Sequence, residues 1–387
     1  MSRGNLNKIY NNYKDYKVAL VHDYLKDFGG AEKVLEALAE IWPEAPIYTL
    51  FYKKNSPAGK AFKGARIIQS WFGRLPFCEK LISPCRFLIP LIWKGFDFSN
   101  YDLVISSASW AITKGFKKEG SKMVEVCYCH TPPRYLYGYE TSKNWKKYWW
   151  LRVYAGVINH FLRMYDFQQA QKVDFFIANS REVQRRIKKF YRRESVVINP
   201  PVDIPKEVKR QKSKGKKEDY FLTGGRLERA KNFDLIIKAC TELKVPLKVY
   251  GTGSQENHLK SLAGPTVEFL GRVSDEEKFE LMAGCRAFIV MAKDEDFGIT
   301  PVEAMGAGTP VVAYRGGGYL ETVIEGKTGV FVEEATTKGV IRGIRDLREI
   351  GEKIRREDCR KQAEKFSRER FKINIINFIK NINSINA

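Results

Sequence analysis

The sequence predicts an α/β protein of two doubly wound, Rossmann-like domains. Three observations predict it. Short apolar runs alternate with amphipathic stretches from end to end, a Pro- and Lys-rich stretch interrupts them midway, and the alternation then restarts. Apolar runs between helices read as parallel strands buried on both faces. The chain has 387 residues, 44% hydrophobic and 13% aromatic. That is enough to fill two cores of ordinary size, and it excludes disordered and fibrous classes.

The elements follow in order. Val18-Ala-Leu-Val21 is a strand, Phe28-Gly29-Gly30 a turn, and Ala31 to Ile41 a helix with Val34, Leu35, Leu38 and Ile41 on one face. Strands are predicted at 47–51, 103–105, 123–128 and 175–178. Asn179-Ser180 supplies the cap of a helix running to about Tyr191. Pro200 to Pro205 is stiffened by proline, and the Lys-rich chain after it reads as a linker or exposed loop. Beyond it come strands at 220–223, 247–250, 267–270, 287–291 and 310–313, with helices at 232–243, 275–284 and 300–307. An amphipathic stretch closes the chain from Phe366 to Ile385. The expected domains are 1–200, a basic connection at 201–219, a second domain at 220–365 and a terminal helix at 366–387. Ligands of such sheets bind at the carboxyl ends of the strands, so two facing domains suit a ligand gripped from both sides.

Four constellations carry chemistry. Glu295-Asp-Phe-Gly-Ile-Thr-Pro-Val-Glu303 leads from a strand into a helix. The amides of Gly298, Ile299 and Thr300 would open that helix as an anion site, and Pro301 fits its first turn. Glu295 and Glu303 would repel a phosphate, so they suit sugar and ribose hydroxyls, two of which one carboxylate accepts at once. Gly225-Arg226 to Lys231 places two cations at a strand-to-helix turn, where they could clamp a diphosphate. Gly29 and Gly30 let backbone approach a ligand closely. His130 stands directly after a strand.

With Val21-His-Asp-Tyr-Leu25, Gly29-Gly-Ala-Glu32, Tyr101-Asp-Leu-Val-Ile-Ser106, Cys129-His-Thr-Pro-Pro133, Ala178-Asn-Ser180, Asn199-Pro-Pro-Val-Asp203, Tyr250-Gly-Thr-Gly253, Phe269-Leu-Gly-Arg-Val273 and Glu295-x7-Glu303, the chain resembles the family 4 glycosyltransferases. These are retaining enzymes of GT-B architecture, two Rossmann-like domains facing a central cleft with a C-terminal helix crossing back to the first. The first-domain set looks most like bacterial mannosyltransferases of O-antigen and other surface polysaccharides. The resemblance implies that Arg226 and Lys231 neutralise the donor diphosphate and that Glu295 holds sugar hydroxyls. It implies backbone contacts from Phe297, Gly298, Ile299 and Thr300 to sugar and phosphate, and Glu303 on the ribose. It further places Gly271 and Val273 at the base, Gly29 and Gly30 at the phosphate and acceptor side, and His130 near the donor sugar. The implied donor is GDP-mannose, with UDP-glucose and UDP-N-acetylglucosamine open. No cofactor is implied. Asp294-Glu-Asp296 imitates a metal-binding Asp-x-Asp, but it overlaps the Glu-x7-Glu element, so no metal is expected.

The formal charge is +22, and its location bears on the acceptor. Residues 1–200 carry 33 basic and 17 acidic side chains, 201–217 carry 7 and 2, and 218–387 carry 27 and 26. Residues 53–95 hold nine cations and only Glu79 as an acid, interleaved with Trp71, Phe72, Phe77, Phe87 and Trp93. Trp145-Lys-Lys-Tyr-Trp-Trp-Leu-Arg152 repeats that chemistry, and 181–193 adds seven cations. An anionic membrane surface and a lipid-linked glycan acceptor fit this pattern. The rival class is a nucleic-acid-binding module, but no recognisable DNA or RNA motif is present and no nucleic acid is expected. Seven cysteines fit no disulfide framework, and 1–17 lacks the apolar core of a signal peptide. The expected location is cytoplasmic, peripheral on the inner face of the membrane.

Overall fold

The structure is a computed structural model that describes residues 16–141, 149–205, 219–350 and 353–386. The 145–148 part of the aromatic and basic string, and 206–218 of the basic connection, lie outside the described residues. The chain divides into two compact units. Unit 1 holds the residues up to Tyr139, those continuing to Pro201, and those from Arg368. Unit 2 holds Val202–Ser367 and a short stretch beginning at Glu140.

Unit 1 is built on seven parallel strands: β1 (Val18–His22), β2 (Ile47–Thr49), β3 (Ile67–Gln69), β4 (Leu103–Ala108), β5 (Val124–Cys129), β6 (Phe175–Ala178) and β7 (Val196–Val197). Their order is β3-β2-β1-β4-β5-β6-β7. Unit 2 has six: β8 (Phe221–Gly224), β9 (Leu247–Tyr250), β10 (Val267–Gly271), β11 (Phe288–Val290), β12 (Val311–Tyr314) and β13 (Gly329–Val332). Their order is β10-β9-β8-β11-β12-β13. In both sheets the first strand lies beside the fourth, so connections leave in opposite directions there. A crevice opens outside the carboxyl ends of those two strands. The β1–β4 register pairs His22 with Ser107 at that point.

The helices used below are α1 (Gly30–Ile41), α2 (Trp149–Lys172), α3 (Arg181–Tyr191), α4 (Phe233–Leu243), α5 (Asp275–Gly284), α6 (Ile299–Gly306), α7 (Thr337–Ile350) and α8 (Arg368–Asn386). The expected helices recur within a residue or so. β3, β7, β13, α2 and α7 were not expected. β3 and β7 are edge strands of two or three residues, too short to show a period.

The two aromatics Phe72 and Trp93, read with the membrane-facing set, belong to the core of unit 1 instead. The Trp93 indole donates to the Ala111 carbonyl at 2.8 Å. Of the seven cations at 181–193, Arg186 is buried and donates to Thr131 at 3.0 Å, while Arg193 donates to the carbonyls of Ala170, Gln171, Val173 and Asp174. These two cations hold the unit together and are not available to a membrane.

α8 belongs to unit 1 although 166 residues of unit 2, from Val202 to Ser367, precede it. It buries Phe371, Ile375, Ile376, Ile379 and Ile382 in the same cluster as α1 and β1. Arg368 donates to Glu36 at 2.7 Å and to Glu40 at 2.5 Å, and Lys372 also pairs with Glu40. The Phe371 ring meets Tyr128 edge-on at 5.8 Å. Phe371→Ala is expected to cost unit 1 about 3–5 kcal/mol through lost burial and a residual cavity, while Arg368→Ala, half exposed at its partners, costs about 1 kcal/mol or less. Chemical denaturation of the two variants checks this ordering.

Candidate functional site

The predicted residues stand at the carboxyl ends of strands: Arg226, Lys231, Glu295 and Glu303 at the unit 2 switch point, Gly271 and Val273 at the edge strand β10, Gly29 and Gly30 after β1, and His130 after β5. In unit 2 the loops after β8, β11 and β12 form one group. Lys231 Nζ donates to Glu295 Oε2 at 2.5 Å, and the Tyr319 hydroxyl donates to the same oxygen at 3.3 Å. Lys231 closes a single 3-10 turn at Arg229–Lys231, immediately before α4. Asn232 donates its side-chain amide to the Met291 carbonyl at 2.9 Å, tying the β8 loop to the β11 loop. Arg226 is exposed, and its guanidinium makes no hydrogen bond or ion pair among the described residues, although its carbonyl accepts the Glu228 N–H at 2.8 Å. It reaches neither Glu295 nor Glu303 and stays available to a ligand.

Gly298 has φ 90° and is the first residue before α6. A Cβ there would lie 2.8 Å from the Tyr319 ring and in a backbone region costly for L side chains, so only glycine fits. The Gly298–Thr300 turn leads into α6, where buried Pro301 spares an amide that no helical carbonyl awaits. Phe297 contributes backbone here, while its ring is buried 5.3 Å from Phe366. The loop after β12 presses against this turn. Gly318 N–H donates to the Glu295 carbonyl at 2.9 Å, and a Cβ on Gly318 would come within 2.3 Å of Phe297 Cα.

Glu303 lies inside α6, only 4% exposed. A buried carboxylate needs a partner. Lys278 of α5 supplies one at 3.2 Å from Oε1 and also pairs with Asp275 at 2.8 Å. The loop carrying Gly271 and Val273 runs directly into α5. Gly271 has φ 68° and accepts the Gly251 N–H at 2.6 Å. So the segment expected at the base and the carboxylate expected at the ribose are joined through Lys278.

In unit 1, Gly29 and His130 share a connected cluster, and Gly30 opens α1 next to it. Gly29 N–H donates to Glu32 Oε2 at 2.8 Å. The other Glu32 oxygen lies 3.5 Å from His22 Nε2. His22 Nδ1 is 3.0 Å from Ser107 Oγ, which is 2.8 Å from His130 Nε2. The four side chains come from β1, α1, β4 and the residue after β5. The Asn179 amide fixes His130 further by donating to its carbonyl at 2.9 Å. Burial, and next the charge of His22, push the His130 imidazole down to about 3, so it is neutral at physiological pH. For Glu32, burial raises the carboxyl, but the His22 ring and the amides of Glu32 and Gly29 outweigh it and hold it below its usual range.

Sequence reasoning missed Lys278, Tyr319 and Gly318 in unit 2, and His22, Ser107 and Glu32 as a working set in unit 1. Two signals could have found some of them. Glu32 stands three residues after Gly29, the spacing of a helix cap. Gly316-Gly-Gly318 follows a strand end directly, where ligands of such a sheet bind.

The comparisons with known proteins agree with this geometry. Residues 28–206 match the model of "Glycosyltransferase Family 4", and residues 205–366 match that of "Glycosyl transferases group 1". Two successive α/β units with their polar clusters at the switch points define a GT-B protein, and the chain belongs to the family 4 glycosyltransferases. It is 27% identical to the mouse α-1,3/1,6-mannosyltransferase ALG2 over 359 residues, 79% of this chain and 81% of that one. It is 43% identical to ALG2 of Dictyostelium discoideum over 90 residues, 21% of each chain. Several such matches are local, spanning 21–37% of the curated relatives concerned. Among solved structures, that of Anabaena Alr3699/HepE in complex with UDP and glucose superposes with a TM-score of 0.70 at 19% identity, covering 94% of this chain and 99% of that one. It shows the fold alone.

The lowered His130 value carries a sign. The native state refuses a proton that the unfolded chain accepts near pH 6.5. The stability this represents is complete above pH 6.5 and is lost as pH falls toward about 3. Between pH 7 and 5 the loss is about 2 kcal/mol. Urea unfolding of His130→Gln should show a correspondingly shallower slope across that interval than the unsubstituted protein.

Proposed function

We propose that this protein is a retaining glycosyltransferase that moves mannose from GDP-mannose onto a lipid-linked oligosaccharide. The observation that carries the reading is the Lys231–Glu295 pair and the exposed Arg226 at the unit 2 switch point, with Glu303 buried on Lys278. Two cations and two carboxylates there match a diphosphate flanked by polyhydroxyl groups. The mannose assignment is supported by the ALG2 mannosyltransferases among the relatives. A UDP-sugar donor is the second reading, supported by the UDP and glucose of the Anabaena protein.

In this reading Arg226 and Lys231 stabilise the charge that grows on the leaving diphosphate, so no metal is required. Backbone from Phe297 to Thr300 supports sugar and phosphate, and Glu303 receives ribose hydroxyls. Gly271 and Val273 border the base. Gly29 and Gly30 present backbone to the phosphate and acceptor side. His130 serves the donor sugar as a neutral hydrogen-bonding group, since burial keeps a proton off it.

Retention proceeds by front-face substitution. The bond from the anomeric carbon to the diphosphate oxygen breaks, the acceptor oxygen bonds on the same face, and the acceptor's proton passes to the leaving phosphate. Glu295 is poorly placed as a nucleophile, because one of its oxygens already accepts from both Lys231 and Tyr319. Its role is to hold sugar hydroxyls. A double displacement would instead need a free carboxylate at the anomeric carbon.

A thermal-shift panel of GDP, UDP and their sugars tests the donor: GDP-mannose should give the largest shift. Arg226→Ala and Glu303→Ala should each weaken it by about tenfold or more, the cost of a lost charge-assisted contact. Donor binding unchanged in both variants refutes the site. Rapid-quench mass spectrometry should find no glycosyl adduct on Glu295; an adduct there would establish the double displacement instead.

A further inference from the structure

The outward face of α2 is apolar where a surface helix should be polar. Its inward face buries Ala155, Asn159, Leu162, Asp166 and Gln169. Asp166 is the helix's single acid, and it is spent inside the unit on Lys114. The outward stripe is Trp149, Val153, Val157, Phe161 and Met164, spaced four, four, four and three, and exposed by 71%, 59%, 53%, 63% and 51%. The stripe is about 22 Å long at helical rise. Exposed Arg152 and Arg163 flank it, Arg163 donating only its Nε to the Leu136 carbonyl at 2.8 Å, with no acid on that face.

A second apolar group adjoins it. Trp71, Phe77, Phe87 and Leu91 are exposed, and Phe77 stands 70% exposed at φ 57°, a backbone position costly for a bulky side chain. The Tyr154 hydroxyl of α2 donates to the Pro84 carbonyl, and the Arg86 guanidinium covers both the Tyr154 and Tyr135 rings at 5.8 and 5.3 Å. These contacts fasten α2 to the 71–91 segment. Arg74 and Lys80 belong to that segment, and its one acid, Glu79, is held by Lys53 at 2.8 Å.

We propose that the outer stripe of α2 and the 71–91 segment together form a surface that inserts into an anionic bilayer. α2 lies in the interface plane, its rings and aliphatic side chains enter the headgroup–acyl boundary, and the flanking arginines and lysines meet lipid phosphates. The charge favours this occupant over a second copy of the chain, which would set arginine against arginine. The inference rests on the membrane-facing reading of unit 1 and relocates it: the apolar contact is α2, not the cation-rich α3.

The test is sedimentation of the full chain with phosphatidylcholine vesicles with and without phosphatidylglycerol, alongside size-exclusion chromatography. The unsubstituted chain should bind the anionic vesicles. Val157→Glu with Phe161→Glu should weaken binding by about tenfold or more, with nucleotide-sugar thermal shifts unchanged to show that the fold is intact. Val157→Trp should strengthen it, and Arg185→Ala with Lys188→Ala should leave the apolar contribution in place. Full binding by the double Glu variant overturns the α2 surface while leaving a membrane-facing unit 1 standing. No vesicle binding by the unsubstituted chain overturns both. A dimer that the Glu variant converts to monomer assigns the stripe to a second copy and overturns the lipid proposal.

Discussion

Both halves of this protein depend on one pairing: the first strand of each sheet lies beside the fourth. In unit 1 this sets His22 opposite Ser107, and in unit 2 it places the β8 loop beside the β11 loop. Parallel strands need crossover helices, and the reversal of strand order sends neighbouring crossovers to opposite faces. The loops above the reversal therefore separate. Arg226, Lys231, Glu295 and Glu303 stand on the loops at that reversal or on the helices that follow them, while His130, Lys278 and Tyr319 come from the ends of neighbouring strands or the helices beyond.

What the sites do follows from how their charges are compensated. Glu303 and Glu295 are each held by a lysine, so both stay as hydrogen-bond acceptors in partly dry surroundings. Arg226 has no such partner among the described residues and remains for an anion. His130 is treated in the opposite way: burial removes its charge and a hydroxyl fixes its ring. Three placements of titratable groups thus give an exposed guanidinium, two lysine-held carboxylates and a neutral imidazole.

The same compensation explains why the basic excess of unit 1 was hard to read. Lys114 pairs with buried Asp166, and Arg186 and Arg193 hold loops together. Counting cations along 53–95 and 181–193 could not separate these from solvent-facing ones. Periodicity had the same limit on α2: with apolar residues on both faces, its one-dimensional pattern does not say which stripe is buried. Phe72 and Trp93 are core, while Trp71 and Phe77 are surface, although all four sit in one aromatic run.

Most strands and helices, the switch from one unit to the next and the turn-to-helix form of the Glu295–Glu303 string were legible from the chain, because each rests on local spacing: apolar runs, caps and a glycine before a helix with proline in its first turn; α2, α7, β3, β7 and β13 were not. The partners were not. Lys278 is 25 residues from Glu303 and Ser107 is 85 from His22, so no local pattern links them. The sequence by itself determined which polar side chains stand at strand ends and helix starts. Only the tertiary structure decided which of them keep their charge, which lose it and which are already engaged, because desolvation and pairing are set by neighbours that the fold, not the chain, brings within reach.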